Sequence, residues 1–291
     1  MQISNININN YYDYDSIYYK VWNDLENKKK LPNYLNEIKI INYKDFEDKV
    51  LSCDEKFANE LVNSLLNGDV YLLKNAFSEK YILELKKRAS ELLKNSKSSF
   101  YKIEENCPNF YRNITLEHAK KYAFHQVKHT QYFFPWNEDF FNLYKETYKR
   151  WKIIKFLSGY YPDVWETNTP KDGIVDRIQI VKYPPGTGEQ ELHQDPYIYQ
   201  KFFISVYMSE REKDYFGGGM YFIKPDDSKV EFEKNIKVGD LSFGLGTILH
   251  GVKRTEKIEE KNEVDTSGRW FMGLYSTVSD YVKNRHTGKP A

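Results

Sequence analysis

Two residues that could bind a metal ion stand close together in the stretch GEQELHQDPYIY, residues 188–199. His193 and Asp195 are separated by one residue, and side chains two positions apart in an extended strand point to the same face. An imidazole nitrogen and a carboxylate oxygen would then reach the same ion. Because H-x-D tripeptides are also common by chance, an ordinary polar loop remains the alternative for this pair taken alone.

A second histidine favours the metal site. His250 lies in TILHGV, an apolar stretch that predicts a strand and in which a polar side chain needs a partner. Two histidines and one carboxylate form the facial triad of non-haem Fe(II) sites, which leaves three coordination positions open. A structural zinc site would take four protein ligands, usually with cysteine, but Cys53 and Cys107 are distant from these residues in the sequence. The pattern therefore predicts iron.

An arginine at the start of an apolar strand offers an anion-binding group. Arg269 opens RWFMGLYSTV, and a buried guanidinium is costly unless it meets a carboxylate, to which it can donate two hydrogen bonds. The alternative is a side chain that leaves the end of the strand for solvent. Arg254 competes for the role, but it follows His250 so closely that the strand is expected to be leaving the site.

The elements that must position these residues differ in periodicity along the chain. From about residue 174, short segments with a period of two are joined by Gly, Pro and Asp, which predicts a β-sandwich or barrel. Upstream, helical spacing predicts one helix that ends near Gly68 and another with Ser78 as its N-cap. Residues 100–165 are predicted as helices and aromatic-rich loops that support the sheet.

Two other motifs could be taken for functional sites. His125 and His129 have a spacing that binds metal on a helix, but the glutamate of H-E-x-x-H is missing, so we expect a surface or substrate-facing pair. The segment FGGG, residues 216–219, precedes neither a helix nor a lysine and is no phosphate loop. Its glycines are expected to let the backbone pass close to another strand.

The composition argues against several classes of partner. The 43 Lys and Arg nearly balance the 42 Asp and Glu in this 291-residue chain, so the net charge of +1 gives no footprint for nucleic acid or an anionic membrane. Two cysteines favour a reduced compartment, with a single disulfide as the alternative. The start has no signal-peptide pattern, and no apolar run reaches about 18 residues. We therefore expect a soluble, cytoplasmic protein.

The motifs occur in an order that resembles a known enzyme family. Between about residues 174 and 278 the chain carries a tyrosine and a glycine-containing turn before H-x-D, a G-G segment, H-x-V and a Gly-Arg pair. This set is similar to the Fe(II)/2-oxoglutarate-dependent dioxygenases, in particular the prolyl-hydroxylase-like branch. The resemblance implies an α+β fold whose core is a double-stranded β-helix (jelly roll), buttressed by N-terminal helices. We expect a partly helical extension over 1–65, of low complexity at its start, and the dioxygenase domain over 66–291.

The resemblance also implies roles for single residues. His193, Asp195 and His250 match the iron ligands, and Arg269 matches the partner of the distal carboxylate of 2-oxoglutarate, with O₂ as the second cosubstrate. Four further side chains are expected to border the pocket: Gln179, Thr247, Tyr197 and Tyr199.

Two tyrosines match residues that contact the cosubstrate in this branch, namely Tyr183 and Tyr207. Packing is the alternative for both in so tyrosine-rich a chain. The gap between His250 and Arg269 is longer than is usual for the family and holds a charged insert, predicted to be an exposed loop at the rim of the site.

The implied activity is hydroxylation of an unactivated C–H bond in a small molecule, such as an amino acid or a natural-product intermediate. Desaturation or ring closure would need only a different substrate pose. Hydroxylation of a protein side chain, such as proline, is a second possibility, and a jelly-roll binding module without catalysis is a third, which the complete triad disfavours. Asp195 also disfavours halogenation, because the halogenating relatives lack the carboxylate ligand.

Overall fold

The computed structural model describes residues 2–121, 124–257, 265–283 and 285, and the backbone of residues 289 and 290. Its α-helices are α1 (Ile17–Leu25), α2 (Tyr43–Leu51), α3 (Glu55–Leu66), α4 (Glu79–Asn95), α5 (Leu116–Ala119) and α6 (Leu143–Leu157). Its strands are β1 (Ile38–Asn42), β2 (Val70–Lys74), β3 (Phe110–Ile114), β4 (Gln126–Phe133), β5 (Ile174–Tyr183), β6 (Glu189–Gln194), β7 (Phe202–Tyr207), β8 (Gly219–Ile223), β9 (Lys229–Glu231), β10 (Leu241–Leu245), β11 (His250–Lys253), β12 (Arg269–Val278) and β13 (Lys289–Pro290).

The eight strands from β5 to β12 form a jelly roll. They are divided between two antiparallel layers, with the order β10–β7–β12–β5 in one and β6–β11–β8–β9 in the other. In the first layer β7 and β10 are buried at every position, because the helices cover the face that points away from the second layer. The fold is therefore α+β with a jelly-roll core, as the sequence motifs imply.

The predicted helix ends follow from local chemistry. Ser78 holds the N-cap position of α4 with an extended backbone, and the Asp54 carboxylate caps α3 by accepting a 2.7 Å hydrogen bond from the amide of Phe57. Gly68 follows α3 with a φ of +97°. A Cβ at this position would lie 2.4 Å from the carbonyl oxygen of Tyr34, so glycine alone fits the turn into β2.

Residues before position 65 extend the first layer of the jelly roll. Strand β1 pairs in parallel with β2, which in turn pairs with β10. Tyr18 and Trp22 of α1 belong to the same hydrophobic cluster as the residues of β7, and the Trp22 indole donates a 2.7 Å hydrogen bond to the carbonyl of Leu157. The division of the chain at residue 65 stays a prediction, and side chains on both sides of it share one core.

The prediction of helices and loops for residues 100–165 is wrong in one part. Helix α6 is present, but β3 and β4 are strands, and β4 bridges the two layers by pairing with both β5 and β6. His125 precedes β4 and His129 lies on it, so the two histidines do not share a helix face. Aromatic and β-branched residues in β4 explain the difference, because they suit a strand buried on part of both faces.

The sequence also led to expectations about the cysteines, membrane-spanning helices and the charged insert. Cys53 and Cys107 are both free. None of the helices in the described ranges is long and apolar enough to cross a membrane. Of the charged insert between β11 and β12, residues 258–264 lie outside the described residues.

Candidate metal centre

The two histidines of the predicted triad are direct partners across two strands. His193 of β6 and His250 of β11 lie opposite each other, with ring centroids 4.3 Å apart. Asp195 follows the end of β6, where its amide donates a 2.8 Å hydrogen bond to the carbonyl of Gly246. One carboxylate oxygen lies 3.8 Å from His193 Nε2 and the other lies 3.8 Å from His250 Nε2. The fold thus brings all three side chains to one point.

Backbone hydrogen bonds orient both imidazole rings. Nδ1 of His193 lies 2.9 Å from the carbonyl oxygen of Glu191, and Nδ1 of His250 lies 2.9 Å from that of Ile248. Because a carbonyl can only accept, each Nδ1 carries the hydrogen and each Nε2 keeps its lone pair. This is the arrangement in which a histidine is held ready as a metal ligand.

Burial also keeps the His193 imidazole in the form that binds metal. Desolvation, followed by the nearby His250, lowers the pKa of His193 well below its ordinary value, so the ring is neutral at pH 7. The potential ligand atoms of His193, Asp195 and His250 all lie within 4.8 Å of one another. In the part of the chain that the structure describes, no other group of three such side chains meets this condition. Two neutral nitrogens and one carboxylate suit Fe(II).

A β-bulge places a glutamine against the triad. Gln190 pairs with Val252 while His193 pairs with His250, so β6 has one residue more than β11 over this stretch. The extra residue brings Gln190 Nε2 to 2.9 Å from Nε2 of His193. Sequence analysis missed Gln190, because strict alternation would put it on the opposite face from His193.

Gln190 also joins the two sides of the site. Its Oε1 accepts hydrogen bonds from the hydroxyl of Tyr183, at 2.6 Å, and from Lys128 Nζ, at 2.9 Å. Tyr183 belongs to the interior of the jelly roll, whereas Lys128 lines the cleft at its mouth. A single amide therefore contacts the triad, the interior and the mouth.

A narrow cavity runs from the triad into the jelly roll and ends at Arg269. Besides the triad its wall includes Tyr183, Ser205, Met220, Arg269, Phe271 and Tyr275. Arg269 is 2% exposed, and its guanidinium lies 5.1 Å from the ring centre of Tyr183 and 5.0 Å from that of Phe271. The Nη1 atom of Arg269 is buried and has no hydrogen-bond partner. A donor of this kind is available to a carboxylate that enters the cavity.

The rest of the Arg269 guanidinium binds a carboxylate that sequence analysis missed. Its Nε lies 2.8 and 2.9 Å from the two carboxylate oxygens of Glu233, and its Nη2 contacts the same group. Burial alone would lower the pKa of Arg269, but the charge and hydrogen bonds of Glu233 outweigh it and raise that pKa above its ordinary value. Glu233 fixes the orientation of the arginine and compensates its charge.

The glycines of FGGG make room for these contacts. A Cβ at Gly219, which has a φ of +95°, would lie 2.6 Å from Glu233 Oε2. A Cβ at Gly218 would lie 2.4 Å from the carbonyl oxygen of Arg254. The expected close approach of the backbone to another strand is present, and the triple glycine is the one sequence signal that could have pointed to Glu233.

A second, wider cleft opens on the other face of the triad. It is lined by Lys128, Arg177, Gln179, Tyr199, Tyr275 and Arg285, together with Phe124 and the triad residues His193 and Asp195. An open cleft next to a metal site is a place where a small organic substrate could bind.

The predicted pocket tyrosines are placed differently from one another. Tyr183 lines the inner cavity and Tyr199 lines the outer cleft, as does Gln179. Tyr207 is fully buried, and its hydroxyl is 2.7 Å from that of Ser242, so it is not in the wall of the inner cavity. The Tyr197 hydroxyl donates a 2.6 Å hydrogen bond to Glu26, outside the cleft.

The remaining candidates lie away from the triad. Thr247 donates a 2.6 Å hydrogen bond to the carbonyl of Pro32. Arg254 pairs with Glu189 at an exposed position, and His125 lies 3.1 Å from the same carboxylate. Arg254 therefore does not compete with Arg269 for the inner cavity.

Comparison with known proteins supports the fold. No family profile and no curated protein sequence matches the chain. Among solved structures, a full-length Neurospora crassa protein in complex with alpha-KG has 14% identity, covers 86% of this chain and 89% of its own, and superposes with a TM-score of 0.50. The chain shares its fold with this protein.

Two other solved structures are similar at a lower level. A Pseudomonas putida prolyl-4-hydroxylase has 12% identity over 75% of this chain and 97% of its own, with a TM-score of 0.46. The non-heme alpha ketoglutarate dependent carbocyclase SnoK from nogalamycin biosynthesis has 12% identity over 72% and 81%, with a TM-score of 0.41.

Proposed function

We propose that this chain is an Fe(II)- and 2-oxoglutarate-dependent oxygenase. The observation that carries the proposal is the pairing of an open three-ligand site with a buried arginine across one cavity. His193, Asp195 and His250 would hold the iron, and Nη1 of Arg269 would bind the distal carboxylate of 2-oxoglutarate. The iron centre, when bound with its cosubstrates, supplies the oxidising power for a C–H bond.

The protein residues have three tasks in this reaction. Glu233 and the rings of Tyr183 and Phe271 hold the guanidinium of Arg269 in place before the cosubstrate arrives. Tyr183 donates to the amide oxygen of Gln190 and fixes the orientation of this glutamine beside the triad. The apolar wall of the inner cavity excludes water from the reacting groups.

The proposed substrate is a small molecule that is hydroxylated in the outer cleft. The cleft borders the triad on the side away from Arg269 and has room for a small organic ligand. Hydroxylation of a peptidyl side chain is the second candidate reaction.

The first experiment separates an enzyme from a binding module. Purified anaerobically with Fe(II) and 2-oxoglutarate, the wild-type protein should bind iron in a one-to-one ratio and develop a weak visible charge-transfer band. His193→Ala should lose both, whereas His125→Ala, which removes a histidine outside the triad, should keep both. Equal iron binding by wild type and His193→Ala would contradict the metal assignment.

A second measurement concerns the reaction. After exposure to O₂, succinate formation is followed across a panel of small molecules and a panel of peptides. Stimulation by a small molecule is the expected result, and stimulation by peptides alone would replace the proposed substrate class. A protein that binds iron and 2-oxoglutarate but forms no succinate with any compound would favour the non-catalytic alternative.

A further inference from the structure

We propose that the outer cleft binds a substrate through an oxyanion, a carboxylate or a phosphate, held by Arg177 and Lys128. This inference deepens the proposed function and rests on it for the identity of the ligand as substrate. The charged side chains in the wall of the cleft support it.

Arg177 has no counter-charge in the part of the chain that the structure describes. Its side chain lies between two aromatic rings, 5.5 Å from the centre of Tyr132 and 5.4 Å from that of Tyr275. Its hydrogen-bond acceptor is the Gln179 amide, whose oxygen, when turned toward it, lies 2.7 Å from Nη2. Among the residues with described positions, no carboxylate pairs with Arg177. Burial lowers its pKa, which shows that the charged form is poorly solvated here.

Lys128 is the second such cation. Its Nζ donates to the amide oxygen of Gln190 and, within the described ranges, forms no ion pair. Burial is the main influence on its pKa, and Asp195 is the acid that acts on it most strongly. Because Asp195 would belong to the metal in the loaded protein, its charge would no longer be available to Lys128.

The lining of the cleft as a whole is positive. Of the described residues in its wall, Lys128, Arg177 and Arg285 are cations and Asp195 is the single carboxylate. Arg285 is paired with Asp280, but its Nε is buried and has no partner. The whole chain has a net charge of only +1, so this excess is local. Half-buried cations that lack a carboxylate partner among the described residues are compensated when an anion binds.

The remaining wall suggests the rest of the ligand. Phe124 and Tyr199 line the same cleft, and the Phe124 ring lies 5.1 Å from that of His193. An apolar or ring-shaped portion could contact these side chains while the oxyanion contacts Arg177. This arrangement would hold the C–H bond between the anion and the metal.

The test uses simple anions and a neutral analogue as probes. Benzoate, inorganic phosphate and benzamide are titrated at constant ionic strength, first into the metal-free protein and then into the protein loaded anaerobically with Fe(II) and 2-oxoglutarate. Binding is measured by the shift in Tm and by ligand-detected NMR. We expect benzoate or phosphate to bind and benzamide to bind far more weakly, and the tighter of the two anions identifies the oxyanion.

Two variants locate the binding. Arg177→Gln and Lys128→Gln should each lower the affinity for the anion by roughly ten- to hundredfold. This factor corresponds to the free energy of one charge-assisted hydrogen bond. Arg88→Gln is the matched control, because Arg88 is an exposed arginine paired with Glu84 outside the cleft. Far-ultraviolet circular dichroism and Tm without ligand check that each variant is folded.

The possible outcomes separate this inference from the proposed function. Equal binding of benzamide and benzoate, or unchanged affinity in both Arg177→Gln and Lys128→Gln, would overturn the anion site. Failure of the wild type to bind iron would instead contradict the proposed function. The titrations of the metal-free protein would still measure anion binding in the cleft. Anion binding that depends on Arg177 in both forms supports the inference.

Discussion

The two sides of the His193–Asp195–His250 triad use arginine in different ways. On the inner side, Arg269 is fixed by Glu233 through contacts from both Nε and Nη2, and a single buried donor, Nη1, is left over. On the outer side, Arg177 lies between aromatic rings, and its hydrogen-bond acceptor within the described ranges is an amide. The inner cation is compensated by a carboxylate, whereas no carboxylate with a described position pairs with the outer one.

This difference indicates what each side binds. An arginine that is already held in place by a carboxylate can bind a cosubstrate without first having to be oriented. An uncompensated cation destabilises the free protein, and binding of an anion removes this cost. Such a site therefore favours a charged ligand over a neutral one. Gln190 contacts both sides and is the point at which the two can be separated experimentally.

The largest effect is expected for Arg269→Ala. Removing the anchor should weaken 2-oxoglutarate binding by roughly 30-fold or more, because truncating one partner of a buried charge pair costs about 2–5 kcal/mol. Iron binding should persist, since no triad ligand is changed. Anaerobic titration followed by the visible band measures the affinity, and the metal content measures iron. A variant that binds 2-oxoglutarate as tightly as wild type would show that the inner side is not the cosubstrate site.

Removing the other half of the pair should mainly affect stability. Glu233→Ala leaves the Arg269 charge buried without compensation, so the free energy of unfolding should fall by about 3–5 kcal/mol. Because the inner side then resembles the outer side, 2-oxoglutarate should raise the Tm of this variant more than that of wild type. Urea denaturation and thermal unfolding with and without ligand measure both effects. The double variant Arg269→Met/Glu233→Met should regain stability but not ligand binding.

The sequence predicted the inner side better than the outer side for a physical reason. His193, Asp195, His250 and Arg269 follow strand alternation and burial, and the structure places the first three at one point and the fourth at the end of the adjoining cavity. Gln190 could not be predicted, since its position depends on a bulge in β6.

The outer side depends on elements that the sequence describes poorly. Lys128 lies on β4, a strand that looked like part of a helical region, so its approach to the triad could not be foreseen. Arg177 was visible as a strand residue, but alternation alone does not reveal whether a partner faces it. The surroundings of Lys128 and Arg177 depend on which strands and side chains the tertiary fold brings next to them.

Gln190→Leu should affect both sides of the triad, with a smaller effect on each. The hydroxyl of Tyr183 and Nζ of Lys128 both lose their acceptor, at a cost of about 1–3 kcal/mol for a buried group left unpaired. We expect both 2-oxoglutarate and the anionic probe to bind a few-fold more weakly. Tyr183→Phe should affect only the first ligand and Lys128→Gln only the second. If Gln190→Leu changes neither affinity, the amide does not connect the two sides.

On the outer side, Lys128 should make the stability of the protein depend on pH. Burial is the main reason that the pKa of Lys128 falls from 10.5 to about 8; Asp195 opposes the shift, and the nearby charges of Arg177, Arg112 and Arg269 add to it. Between these two values the unfolded chain binds a proton at Lys128 that the folded chain does not, so raising the pH through this window favours the folded state at this site. Below pH 8 Lys128 is charged in both the folded and the unfolded state, and its contribution to the free energy of unfolding no longer changes with pH.

Lys128→Met should therefore be more stable than wild type at pH 7, and this advantage should shrink as the pH rises from 8 toward 10.5. Urea denaturation of the metal-free protein at several pH values gives the difference between the two proteins, in which the other titrating groups largely cancel. An advantage that stays constant across the window would mean that Lys128 is compensated after all. The outer side would then resemble the inner one, and the contrast between them would rest on Arg177 alone.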